Sequence, residues 1–222
     1  MNWVGPALAI MLVWAPTQVM AGRDHGVEIP SVVTLDAIPV CYDFGCKSSS
    51  TVNLPLTEWR EVVGWFQPAA ETPLQERAQI ARAIGWMEVL IGRHTPTYKD
   101  IAFDLPADPE ATEGLFPGQQ DCIDEAVNTT TYLRLLESNG MFRHHTVIEQ
   151  AYRRAIWDQH WAGQIRELES GKRFVVDSWY QPNGYLPVIQ ASEDWEDITP
   201  LTAVVDDSSR DSSSEGIPPG VE

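Results

Sequence analysis

GQQDCIDEAVNTTTYLRLLESNG, residues 118–140, is the stretch from which the fold is read. Gly118, Gln119, Gln120 and Asp121 form a polar loop. Ile123, Ala126, Val127, Thr130, Leu133 and Leu136 then recur at spacings of three and four, the signature of a helix with one apolar face. Ser138, Asn139 and Gly140 supply a C-terminal stop. Cys122 therefore falls at or beside the first helical turn. There the unpaired N–H groups and the positive end of the helix dipole favour a thiolate over a thiol. A thiolate is a nucleophile, so a catalytic cysteine belongs at such a place. The competing reading is a buried cysteine packed beneath a loop.

The chain has 222 residues and an ordinary apolar content, which suits one domain with a sizeable core. Residues 1–21 carry no charged side chain, hold the apolar run Val4–Trp14, and end Val19-Met20-Ala21 before Gly22. This predicts a cleaved signal peptide and an exported protein, periplasmic or extracellular. The run is short and broken by Pro6 and Pro16, which disfavours stable membrane insertion. Residues 22–205 are expected to form the single domain. Residues 206–222, rich in Ser, Asp, Gly and Pro, are expected to be a disordered acidic tail. A net charge of −17 argues against nucleic acid and anionic membrane as partners.

Cysteine arithmetic bears on the nucleophile. Cys41 and Cys46 lie close together in CYDFGC, and Cys122 stands apart. In an exported chain the first two are expected to close a short disulfide loop, which leaves one thiol over. The spacing disfavours zinc, and no metal or other cofactor is expected.

In chain order, Val27–Ile29 and Val32–Leu35 read as edge strands or extended arms flanked by Pro30 and Pro39, and Lys47–Thr51 as a polar loop. A short helix follows Thr57 and ends before Pro68. A longer one starts at Thr72-Pro73 with Gln75 completing a capping box, and shows an apolar face of Ile80, Ile84, Met87 and Ile91. His94–Pro117 is a long proline-rich connection. Beyond Gly140 the period turns to alternation. Strands are expected over Phe142–Ile148, His160–Leu168, Arg173–Trp179 and Tyr185–Ile189, with Glu149–Gln159 a connection and Glu169-Ser170-Gly171 a turn. The fold class is α+β, with the nucleophile helix packed on an antiparallel sheet.

A cysteine nucleophile needs a base, and the base an orienting partner. A hairpin turning near Ser170 brings His160 and Asp177 near one another across paired strands, short of directly opposite. A bulge or shifted turn closes the remaining offset. The candidate constellation is Cys122–His160–Asp177. The order of Cys122-Ile123-Asp124, His160-Trp161-Ala162-Gly163-Gln164-Ile165 and Phe174-Val175-Val176-Asp177 resembles the transglutaminase-like cysteine hydrolase superfamily, a branch of the papain-like fold. The resemblance spans roughly Gln119 to Tyr180. Ser178-Trp179 stands where the family often has a proline, and Gln119-Gln120-Asp121 where it has a glycine-rich turn. The resemblance implies a papain-like core and acyl transfer through a thioester, on a peptide or protein amide substrate. Gln119 or Gln120 is a candidate oxyanion donor beside the Cys122 N–H; loop hydrogen bonding is the other role open to them. Trp161 and Trp179 flank the triad and are candidates to wall the substrate groove, packing being the alternative. His144 and His145, adjacent on a strand, point to opposite faces and do not suit one metal. The rival to an acyl-transfer enzyme is a non-enzymatic envelope protein using the fold as a peptide- or partner-binding module.

Overall fold

From its N-terminal side the chain builds a hairpin, two helices, a central helix and then a sheet. The structure, a computed structural model, describes residues 25–102, 117–154 and 159–197. The expected signal segment (1–21), acidic tail (206–222) and the middle of the proline-rich connection (103–116) lie outside the described residues. Strands β1 (Ile38–Tyr42) and β2 (Ser48–Val52) pair antiparallel. Helices α1 (Leu56–Gly64) and α2 (Pro73–Gly92) follow, then a single 3-10 turn at Pro96–Lys99 and helix α3 (Cys122–Ser138). The C-terminal part holds β3 (His145–Val147), β4 (Ala151–Arg154), β5 (Gln159–Glu167), β6 (Arg173–Asp177), β7 (Val188–Ala191) and the short helix α4 (Ser192–Asp197).

The helices start where their side chains place them. On α2 the Thr72 hydroxyl accepts from the Gln75 N–H while the Gln75 side chain accepts from the Thr72 N–H, with Pro73 in the first turn. Ile80, Ile84, Met87 and Ile91 are fully buried, as their spacing predicts. On α3 the Asp121 carboxylate accepts from the N–H groups of Ile123 and Asp124, and Asp124 answers the Asp121 N–H. Gly140 takes φ +74° just past the helix end, a left-handed conformation that glycine adopts without steric cost.

The expected one-sided burial of α3 understates it. Of the expected face Ala126, Val127, Thr130, Leu133 and Leu136 are buried and Ile123 is half-buried, but Asp124, Glu125, Asn128, Thr129, Thr131 and Tyr132 are buried too. A helix enclosed around most of its circumference is the centre of a fold rather than a layer on it. α3 packs on β5, on β1, on β3 and β6, and on α2.

The sheet is antiparallel throughout. β5 pairs along one edge with β3 and β4 and along the other with β6, and β6 pairs with β7. Helix α3 lies against the face carrying Gly163; a Cβ at Gly163 would stand 2.9 Å from the Thr129 methyl carbon. The opposite face is covered by α4, whose Trp195 packs with Ala151, Ala162 and Val175 and whose Ser192 hydroxyl accepts from the Gln164 amide. Burial on both faces explains why β5 is buried continuously from His160 to Ile165 instead of alternating.

Several boundaries differ from the sequence reading. The polar run expected as a loop at Lys47–Thr51 is largely strand β2, because its apolar partner β1 supplies the ladder and one face stays in solvent. Of the two readings open for Val27–Ile29 and Val32–Leu35, edge strands are absent, which leaves the extended arms; a lone bridge joins Thr34 to Ala37. The strand expected from Phe142 begins only at His145; the Glu76 carboxylate accepts from the N–H groups of Arg143, His144 and His145. The connection Glu149–Gln159 contains β4. The last strand starts at Val188, after Pro187, which has no N–H to give a ladder. β5 and β6 end at Glu167 and Asp177, one and two residues short of the expected ends.

Candidate active site

Cys122 is the first residue of α3 and is half-buried. It is the free cysteine of the described chain, because Cys41 and Cys46 are joined. Its thiol donates to the Gln159 carbonyl oxygen at 3.7 Å, the carbonyl of the peptide that enters His160. Start of helix and start of strand therefore meet at the sulfur.

His160 and Asp177 are both 1 % exposed, and His160 Nε2 lies 2.7 Å from Asp177 Oδ2. The register explains the contact. Gly163 pairs with Val176, so one further step sets Ala162 opposite Asp177 and His160 diagonal to it, on the same face. The offset seen in the sequence is this diagonal, and no bulge is needed to close it. With its proton on Nε2 for Asp177, a neutral imidazole keeps Nδ1 as the acceptor.

The sequence reading missed Trp195. Its indole N–H donates to the same Asp177 Oδ2 at 2.9 Å, and its ring lies 5.5 Å from the His160 ring. Arg153, directly across from His160 on β4, holds Trp195 in turn: one guanidinium nitrogen donates to the Trp195 carbonyl, and the group stacks over the indole at 4.6 Å. The other nitrogen donates to the Tyr180 hydroxyl at 2.7 Å. The only sequence signal for Trp195 is an aromatic isolated within the acidic run SEDWED.

The other candidate residues separate. Trp179 lies 4.8 Å from the His160 ring. Trp161 lies on the opposite face of β5, against Tyr152 and His25. The Gln119 amide is spent on the loop: it donates to the Lys99 carbonyl and accepts from the Ile101 N–H. Gln120 is buried, and its backbone N–H is held by Asp100 Oδ1 at 2.6 Å. Gly118, at φ +96°, passes so close to Pro96 that a Cβ would collide with its carbonyl.

Beneath the site lies a layer of buried acids. Burial pushes Glu88 up to about 7, against hydrogen bonds from the Ser178 hydroxyl and the Gly184 N–H. Burial and the neighbouring Asp121 push Asp124 up to about 8, although N–H groups of Cys46, Asp121 and Phe44 oppose the shift. Glu125 is raised well above the ordinary carboxyl value by burial and by Glu88, Asp100, Asp124 and Asp177. Elsewhere burial alone would raise Glu76, but the His145 ring and the N–H groups of Arg143 and His144 hold it below its ordinary value. His145, 2 % exposed and 2.9 Å from Glu76, belongs to that structural cluster. Ligand atoms of Cys41, Cys46 and Asp124 lie within 4.8 Å of one another, yet the two sulfurs are bonded to each other and are not available as thiolate ligands.

Comparison of the chain with protein-family models, with curated proteins and with solved structures returned no match. The functional reading rests on the residues and their geometry.

Proposed function

We propose that this chain is an exported cysteine-dependent acyl-transfer enzyme of transglutaminase-like type, acting on peptide or protein amides. The observation that carries the reading is a buried His160–Asp177 pair at 2.7 Å, together with a free thiol at a helix N-terminus that meets the Gln159 carbonyl, one residue before His160. In the proposed reaction Cys122 Sγ attacks the amide carbonyl carbon and its proton passes to His160 Nδ1. Asp177 fixes the ring by accepting from Nε2 and stabilises the imidazolium as it forms. The oxyanion is stabilised by the Cys122 N–H, at the positive end of the helix, and by the Gln120 side chain, Gln119 being committed to its loop. Collapse breaks the C–N bond, and the leaving amine takes the proton from His160. The thioester is then resolved by water, giving a peptidase or amidase, or by an amine, giving a transglutaminase.

Support for export comes from the uncharged apolar N-terminal segment and from the Cys41–Cys46 disulfide. Among the described residues no helix is long and apolar enough to cross a membrane. The test is alkylation of the mature protein by iodoacetamide across pH 5–9, with the labelled peptide identified by mass spectrometry. Cys122 is expected to titrate below the free-thiol value of about 8.5. Exposure to a peptide-amide library is expected to leave a mass adduct of an acyl group on Cys122. A thiol that titrates at or above the free value, with no adduct, overturns the enzymatic reading in favour of a peptide-binding module.

A further inference from the structure

The tip of the β1–β2 hairpin is built into the start of the nucleophile helix. The Asp43 N–H donates to the Gln119 carbonyl at 2.8 Å, and the Gly118 N–H donates to Asp43 Oδ1 at 2.7 Å. The Cys46 N–H donates to Asp124 Oδ1 at 2.6 Å. Asn128, one turn further along α3, brackets Cys41: it accepts from the Cys41 N–H and donates to the Cys41 carbonyl, both at 2.8 Å. Asp124 is also the residue that answers Asp121 in the helix cap. The same carboxyl thus joins the hairpin tip to the turn that carries Cys122.

The tip holds an improbable backbone. Asp43, Phe44, Gly45 and Cys46 have φ of 68°, 65°, 67° and 57°. A run of four left-handed residues, three of them not glycine, does not persist by local preference. It is retained by what over-determines it, namely the covalent closure between Cys41 and Cys46 and the hydrogen bonds to 118–124. Of the two bonded cysteines Cys46 is half-buried and Cys41 buried.

We propose that the Cys41–Cys46 disulfide is an oxidation-dependent switch for Cys122: with the bond reduced, the hairpin tip relaxes, Asp124 and the 118–121 loop lose their partners, and the turn that activates the thiol is no longer held. This rests on the reading of Cys122 as the nucleophile. Oxidation removes two electrons and two protons from the two thiols, taken up by a dithiol–disulfide oxidant whose own disulfide is reduced. A dithiol reductant of the thioredoxin class reverses the step. A chain made in a reducing compartment is then held inactive, and becomes competent only after it meets an oxidising one.

The experiment compares the mature protein in its oxidised form with the same protein after reduction by a phosphine that is then removed. Iodoacetamide labelling of Cys122 at pH 7 is followed by peptide mass spectrometry, with far-UV circular dichroism on both forms. Reduction is expected to slow labelling of Cys122 by about tenfold, the thiolate fraction lost when a thiol pKa rises by one unit, and reoxidation to restore it. Equal labelling rates in folded oxidised and folded reduced protein overturn the coupling and leave the nucleophile reading intact. A Cys122 no more reactive than a free thiol even when oxidised overturns the nucleophile reading itself. If reduction abolishes the circular dichroism signal, Asp124→Asn decides, because it keeps the disulfide but places an amide NH2 against N–H donors that the carboxylate accepts from. Slower labelling in folded D124N supports the coupling, and an unchanged rate overturns it.

Discussion

One oxygen atom organises the candidate site. Asp177 Oδ2 accepts from both His160 Nε2 and Trp195 Nε1, with all three side chains buried. A carboxylate oxygen with two fixed donors holds its plane, and through it the imidazole. Trp195→Phe keeps the ring on His160 and removes one donor. It is expected to cost about 1–3 kcal/mol of stability, the scale for a buried hydrogen bond to a charged group, read by urea unfolding. His160→Ala is expected to move the Cys122 titration up toward about 8.5 and to slow acylation by about 10²–10⁴-fold, the scale of a lost general base. Asp177→Asn should retain the fold and slow acylation. His145→Ala is the control: it lies in the Glu76 cluster, so it should lower the melting temperature without moving the Cys122 titration. A thiol titration that responds to His145→Ala and not to His160→Ala would contradict the assignment.

At the scale of elements, the decisive contact is α3 against β5. Gly163 allows it, since a Cβ there would meet the Thr129 methyl at 2.9 Å, Leu133 Cδ1 at 3.3 Å and the Val176 carbonyl at 3.3 Å. The two side chains can shift slightly, but the Val176 carbonyl belongs to the sheet. Gly163→Ala is therefore expected to push helix and strand apart and to destabilise by about 1–3 kcal/mol, the usual cost of overpacking. Because Cys122 rides on the helix and His160 on the strand, the same substitution should slow Cys122 labelling. A G163A protein with unchanged melting temperature and labelling would show that the approach is looser than described. The loop Gly184–Tyr185 meets α2 just as closely at Gly85, and Glu88 ties the two together through the Gly184 N–H.

For the whole molecule, the buried acids set the pH dependence. Glu88, Asp124 and Glu125 all bind their protons more tightly when folded than when unfolded. Each contribution is fully present below the ordinary carboxyl value and is lost as pH rises, through about 7 for Glu88 and about 8 for Asp124. The net charge of −17 works in the same direction through self-repulsion. Glu76 and Glu167, both held low, act oppositely: their contribution is lost as pH falls below the ordinary carboxyl range. The melting temperature is expected to be higher at pH 5 than at pH 8 and to fall again under strong acid. Glu125→Gln, which removes a buried ionisable group without changing its shape, should flatten the fall between pH 5 and pH 8. A melting temperature that rises from pH 5 to pH 8 would contradict this account.

What the sequence alone determined was local in its physics. Helix starts at Thr72 and Asp121 follow from side chains bonding to neighbouring N–H groups, and the buried positions Ile80, Ile84, Met87 and Ile91 of α2 from spacing. The close pair Cys41 and Cys46 carried its own pairing. The hairpin register placed His160 by Asp177 because one turn sets every pairing that follows it. Only the tertiary structure decided the rest. Ser48–Val52 is a strand, polar as it is, because β1 across the hairpin tip offers it a ladder. Arg143 and His144 stay outside the ladder, with their N–H groups turned to Glu76 on α2. Trp195 reached Asp177, and the hairpin tip reached Asp124, through packing between segments far apart in the chain. No periodicity encodes such contacts, because a hydrogen bond between distant residues depends on where whole elements come to rest.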